Sequence, residues 1–202
     1  MSRKRPVPTR WFTGALLAAS WLPSLALAHA ELAAQGFVTG LLHPVFGPDH
    51  FLAMMSVGIV SAQLGGHYIY GVPAIFVTGM IAGAVAGIFG MAWPLTELGI
   101  ATSVLMLGVA VVLVKNTSNG LPIMLVTILF GSLHGHAHGL EMPTAADPVF
   151  YAAGFVLATT AIHIFGVLIG HVLTLRPALV RWLRYMGGCI AAVGLVIFVR
   201  TV

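Results

Sequence analysis

Residues 43–50, His-Pro-Val-Phe-Gly-Pro-Asp-His, lie inside an apolar stretch, roughly 31–63, that is long enough to cross a bilayer. A bilayer interior admits only backbone that satisfies its own hydrogen bonds, so the stretch must be helical. Two prolines and a glycine within eight residues must then interrupt that helix. Two imidazoles and a carboxylate at such depth are costly, and groups of this kind face a bundle interior or an aqueous path. The stretch is therefore read as one discontinuous helix, broken at His43–Pro48, and not as two crossings.

The rest of the chain fits a lipid setting. Only 7% of its 202 residues are charged and 59% are hydrophobic, with a mean hydropathy of +1.02. A soluble domain carries about 25% charged residues to cover its surface. Six apolar spans follow residue 30, at roughly 31–63, 71–92, 95–115, 121–141, 149–173 and 178–200. The expected fold is an all-α integral membrane protein, a six-helix transmembrane bundle. The net charge of +4 does not indicate nucleic-acid binding, because four of the nine basic residues lie in the first ten positions. The single cysteine, Cys189, excludes an intrachain disulfide and any metal cage built of thiolates.

Arg3, Lys4, Arg5 and Arg10 precede an apolar run from Trp11 to Ala28 that closes on Ala26-Leu-Ala28. This is the layout of a secretory signal peptide, with an uncleaved first helix as the competing reading. Residues 1–28 are assigned to that segment and 29–202 to the bundle. Cleavage would leave His29 at the new terminus, where an α-amino group beside an imidazole forms a potential chelate. Lys115, Arg176, Arg181 and Arg184 fall in loops on one side; Glu31, Glu97, Glu141 and Asp147 fall on the other. Cytoplasmic loops collect Lys and Arg, so the expected site is a bacterial inner membrane with the mature N-terminus outside.

A second polar cluster reads His134-Gly-His136-Ala-His138-Gly-Leu-Glu141. At about 100° per residue, His134, His138 and Glu141 share one helical face within about 60°, and His136 points away. An i, i+4 histidine pair can grip one ion, and the glutamate adds an oxygen ligand or an attracting charge. His43, Asp49 and His50 supply the matching groups from the broken helix. His163 adds a third helix, although a core histidine bonded to a threonine or a carbonyl would look the same. His29, His136 and His163 are held as further ligands or as residues that support them. Imidazole with carboxylate suits nickel, cobalt and zinc, whereas copper(I) would call for thiolate or thioether. Two glycine ladders, Gly79-Gly83-Gly87 and Gly131-Gly135-Gly139, allow close helix contact. The first could serve an internal contact or a homo-oligomer.

These motifs resemble the HupE/UreJ family of nickel/cobalt membrane permeases. The resemblance rests on His43-Pro-Val-Phe-Gly47-Pro-Asp49-His50 and His134-Gly135-His136-Ala-His138-Gly139-Leu-Glu141. A weaker third match is Gly154-Phe155-Val-Leu-Ala-Thr159-Thr-Ala-Ile-His163-Ile-Phe-Gly166. It implies uptake of Ni²⁺, or Co²⁺, for delivery to a nickel or cobalt enzyme pathway. It carries His43, Asp49, His50, His134 and His138 over as metal-path residues, with Glu141 beside them.

The expected activity is secondary uptake by ligand exchange, with no catalytic residues and no fixed cofactor. Ni²⁺, Co²⁺ or Zn²⁺ is the cargo and the lipid bilayer the setting. No Gly-x-x-x-x-Gly-Lys-Ser/Thr sequence is present to bind ATP. Glu141, Asp147 and His29 would collect the ion, His134 and His138 would receive it, and His43, Asp49 and His50 would pass it inward. Ligating imidazoles must be neutral, so uptake should fall as pH drops through about 6.5. The rivals are an intramembrane zinc-dependent hydrolase and a metal-binding accessory or sensor subunit.

Overall fold

Proline sets the start of four helices in this protein. The computed structural model describes residues 34–202, apart from 117, 144 and 145. Residues 1–28, where a signal peptide is expected, lie outside the described residues, as do His29 and Glu31. Seven helices and no strand are found among those described: α1 Ala34–Phe46, α2 Pro48–Leu64, α3 Tyr68–Ile88, α4 Thr96–Leu113, α5 Leu121–Leu140, α6 Pro148–Thr174 and α7 Pro177–Thr201. Helices α2, α5, α6 and α7 each place a proline in the first two positions. There its missing N–H is no loss and its fixed φ suits the helix.

Five helices, α3 to α7, are long and apolar enough to cross a membrane. The first expected span, roughly 31–63, corresponds to the pair α1–α2, bent by 77°; counted as one span, it would make six. The interruption is confined to Gly47, and the flanking turns keep their bonds: Gly47 N–H donates to His43 O (3.0 Å) and Phe51 N–H to Gly47 O (2.8 Å). The two halves accompany α6 in order. Gly40 of α1 lies against the Tyr151 carbonyl, Gly58 of α2 against the His163 carbonyl, and Ala62 against Gly170.

The helices pack in close pairs. Helix α3 crosses α5 so tightly that Gly79, Gly83 and Gly87 face the backbone of Ile128, Ser132 and His136. Reciprocally, Gly131, Gly135 and Gly139 face Phe76, Met80 and Ala84. The two ladders found in the sequence are thus the two sides of one interface, which answers whether the first serves an internal contact. Helix α4 meets α7 the same way, through Gly108, Gly187 and Gly194. The core between the pairs holds Met54, Val57, Phe76, Met80, Val104, Tyr151 and Phe155. Leu129, Leu157, Phe165 and Leu168 stay exposed on the outside, as lipid-facing side chains would.

Lys115, Arg176, Arg181 and Arg184 gather where α2, α4 and α6 end, and Glu97, Glu141 and Asp147 where α4 begins, α5 ends and α6 begins. Arg200 departs from that division, since α7 carries it to the acidic end, beside Pro48. Asp147, expected to collect an ion, caps α6 instead. Its Oδ1 accepts from Val149 N–H (2.9 Å) and Phe150 N–H (3.2 Å), satisfying two otherwise orphaned donors.

Candidate metal centre

The bend at Gly47 and the face of α5 meet near the acidic end. His43 comes from the last turn of α1, and Asp49 and His50 from the first turn of α2. His134 and His138 come from successive turns of α5, with Glu141 as its C-cap. Gly47 is hemmed in by these groups: a Cβ there would meet His50 Nδ1 at 3.3 Å, and Asp49 Oδ1 and the His43 carbonyl at 3.4 Å. Glycine lets the chain turn without pushing the pair Asp49–His50 aside.

Each group has a defined neighbour. Asp49 Oδ1 accepts from both the backbone N–H and Nδ1–H of His50, each at 2.8 Å. This fixes the imidazole and leaves Nε2 as its lone-pair nitrogen. His134 is tied the same way, Nδ1–H donating to Phe130 O at 2.8 Å. His43 Nε2 lies 3.1 Å from Glu141 Oε2, and that hydrogen bond holds the Glu141 carboxyl below the usual carboxylate range. His138 stacks on Phe155 with ring centroids 5.0 Å apart.

One nitrogen each from His43, His50 and His138 lies within 4.8 Å of the others. Two nitrogens bound at about 2.0–2.1 Å to one tetrahedral ion stand roughly 3.4 Å apart, inside that limit. His134 stands next in line, its ring 4.9 Å from that of His50. His50 Nε2, His134 Nε2 and both nitrogens of His138 are buried with no hydrogen-bond partner among the described residues. Buried polar atoms are normally satisfied; with one nitrogen of neutral His138 carrying a proton, the cluster can offer an ion at most three unpartnered lone pairs, one each on His50, His134 and His138.

The order of these groups differs from the expected two tiers. Histidines of the broken helix and of α5 alternate: Glu141 touches His43, His43 lies 4.7 Å from His138, His138 4.8 Å from His50, and His50 reaches His134. The bend swings His50 beside α5, so the two motifs interdigitate and do not follow one another. His136 has left the cluster, as its helical position requires. Its Nε2–H donates to Met91 O at 2.7 Å, Nδ1 pairs with Thr96 Oγ1 at 3.0 Å, and the ring stacks on Trp93 at 4.6 Å. It ties the α3–α4 connection to α5.

His163 is buried with neither nitrogen partnered among the described residues, so the bonded core histidine considered as its alternative is not found. It is separated from the cluster by Phe76, whose ring lies 5.1 Å from His163 and 5.5 Å from His134. Phe76, Phe155, Trp93 and Thr96 were not legible as site residues. Phe76 did carry a signal, since it sits three residues before Gly79 and so shares the face of the ladder.

Residues 17–197 match the family described as HupE / UreJ protein. Protein HupE of Rhizobium leguminosarum bv. viciae is 43% identical over 151 residues, covering 75% of this chain and 78% of the relative. No solved structure matches the chain.

Proposed function

The chain belongs to the HupE/UreJ family, and on that premise we propose that it carries a divalent transition metal, Ni²⁺ or Co²⁺, across the bacterial inner membrane. The observation that carries this reading is the set of four buried, unpartnered imidazole nitrogens on His50, His134 and His138. Nitrogen ligands of this kind suit nickel, cobalt and zinc. The ion enters from the acidic, outer end, where Glu141 orients His43. It moves by exchange from His43 and His138 to His50 and His134, with Asp49 holding His50 in the ligating tautomer. Several modest sites in sequence favour release over trapping. Beyond His134 the ion meets Phe76 and then His163 on its way to the basic, cytoplasmic end. The driving force is the metal gradient, the membrane potential or a partner, and the cargo supplies a nickel or cobalt enzyme pathway.

The test is uptake of radioactive nickel into proteoliposomes under an inward metal gradient. Saturable uptake that is lost in His138→Ala and His50→Ala is the expected result, with unlabelled cobalt and zinc ranking selectivity. Metal binding by the folded protein without flux would replace the permease with an accessory or sensor role. Hydrolysis of a lipid or peptide that depends on Asp49 would point to the zinc-dependent hydrolase. No His-Glu-x-x-His sequence supports that last alternative.

A further inference from the structure

At the end of the bundle opposite the histidines, a cavity of about 550 Å³ opens between the ends of α2, α4 and α6 and the start of α7. Its polar lining is Gln63, Lys115, Asn116, His171, Thr174 and Arg184. Neither Lys115 nor Arg184 pairs with a carboxylate among the described residues. Two unneutralised cations lining a cavity attract an anion. Gln63 adds a second, independent signal. The residue is only 7% exposed, and its Nε2 donates to Val111 O (2.9 Å) and Val114 O (3.3 Å). That fixes the amide orientation and leaves Oε1 buried with no donor among the described residues. The site therefore offers positive charge for an anionic group and one acceptor that needs a hydroxyl or N–H donor.

We propose that this cavity binds the headgroup of an anionic phospholipid bearing hydroxyl groups, of the phosphatidylglycerol class. The phosphate lies between Lys115 and Arg184, and a headgroup hydroxyl donates to Gln63 Oε1. A choline headgroup has no donor for Gln63, and its ammonium would face the two cations. Basic pockets between membrane helices on the cytoplasmic side are suited to anionic headgroups. The apolar rim supplied by Ile69 and Val180, with Val172 and Leu175 exposed nearby, lets acyl chains run along the bundle. The inference depends on the membrane setting and not on which metal is carried.

Native mass spectrometry of the full chain in neutral detergent tests it, with phosphatidylglycerol and phosphatidylcholine as competing probes. One retained phosphatidylglycerol per protein is expected, with binding weakened roughly tenfold or more in the Lys115→Ala/Arg184→Ala double variant. The Arg176→Ala/Arg181→Ala double variant removes the same charge at the same end outside the cavity and should bind as the wild type does. Equal loss in both double variants would reduce the site to a diffuse basic surface and overturn the proposal. So would equal retention of the two lipids, or displacement of phosphatidylglycerol by millimolar inorganic phosphate alone. A thermal unfolding transition like that of the wild type in each variant shows that the fold is intact, and failure of nickel binding or transport would leave the lipid result standing.

Discussion

His43 Nε2 stands 3.1 Å from Glu141 Oε2, joining the last turn of α1 to the end of α5 across the mouth of the histidine cluster. The contact aims one imidazole and brings a negative charge beside the cluster. Partners that orient a ligand in this way typically contribute about 10–100-fold in metal affinity. Glu141→Ala should weaken nickel binding within that range, and Glu141→Gln, which keeps an acceptor oxygen, should weaken it less. Asp49→Ala should act similarly through His50. Calorimetric titration of the purified protein measures both, and wild-type affinity in the alanine variants would remove the orienting role.

The α3–α5 crossing makes an opposite pair of predictions for glycine. A Cβ on Gly83 or Gly135 would collide with the Ser132 or Met80 carbonyl, and backbone cannot swing away as a side chain can. Gly83→Ala and Gly135→Ala should each destabilise by about 1–3 kcal/mol or more. Gly71 and Gly188 also lie within helices but have nothing within 4 Å of an added Cβ. Alanine there should be neutral or stabilise by up to about 1 kcal/mol. Thermal unfolding in detergent separates the two classes, and equal behaviour of all four would contradict the packing.

Sequence periodicity made the α5 face visible, because His134, His138 and Glu141 follow helical spacing whatever surrounds them. It also made the break visible, because Pro44, Gly47 and Pro48 act on local backbone. What spacing could not convey was which helix lies opposite. The interleaving of His50 between His138 and His134 depends on the direction of a 77° bend, and no local rule sets that direction. The pairing of the two glycine ladders was hidden for the same reason. Phe76 and Trp93 looked like ordinary apolar residues, and only tertiary contact sets them against His163 and His136. Asp147 fits both the positional rule for a helix cap and the charge expected of an ion collector, and spacing alone does not choose between them.

His136 should separate anchoring from ligation. Both of its nitrogens are engaged, by Met91 O and Thr96 Oγ1, and its ring lies nearly parallel to Trp93. His136→Ala removes these ties and leaves the Met91 carbonyl without its donor, a loss of about 1–3 kcal/mol. The folded fraction should bind nickel with unchanged stoichiometry. His138→Ala should do the reverse, abolishing binding with a smaller effect on the metal-free protein, because its nitrogens have no hydrogen-bond partners to lose among the described residues. A metal deficit in folded His136→Ala protein would instead make His136 part of the path.

The acid response should belong to imidazole and not to Glu141. The hydrogen bond from His43 holds the Glu141 carboxyl below its ordinary value of 4.5. A carboxylate depressed in the folded state contributes fully above that ordinary value. Its contribution is lost only as pH falls through the lower, folded one. Between about pH 7.5 and 5.5 Glu141 therefore stays anionic, while ligating imidazoles, with an ordinary value of about 6.5, must shed protons to bind metal. Nickel binding should fall across that interval in the wild type. It should fall likewise in Glu141→Gln, whose amide does not titrate, from a lower starting affinity. Equilibrium dialysis at stepped pH measures this. A fall that vanishes in Glu141→Gln would assign the proton to the His43–Glu141 pair, and flat binding in the wild type would mean that no ligating imidazole takes up a proton in that interval.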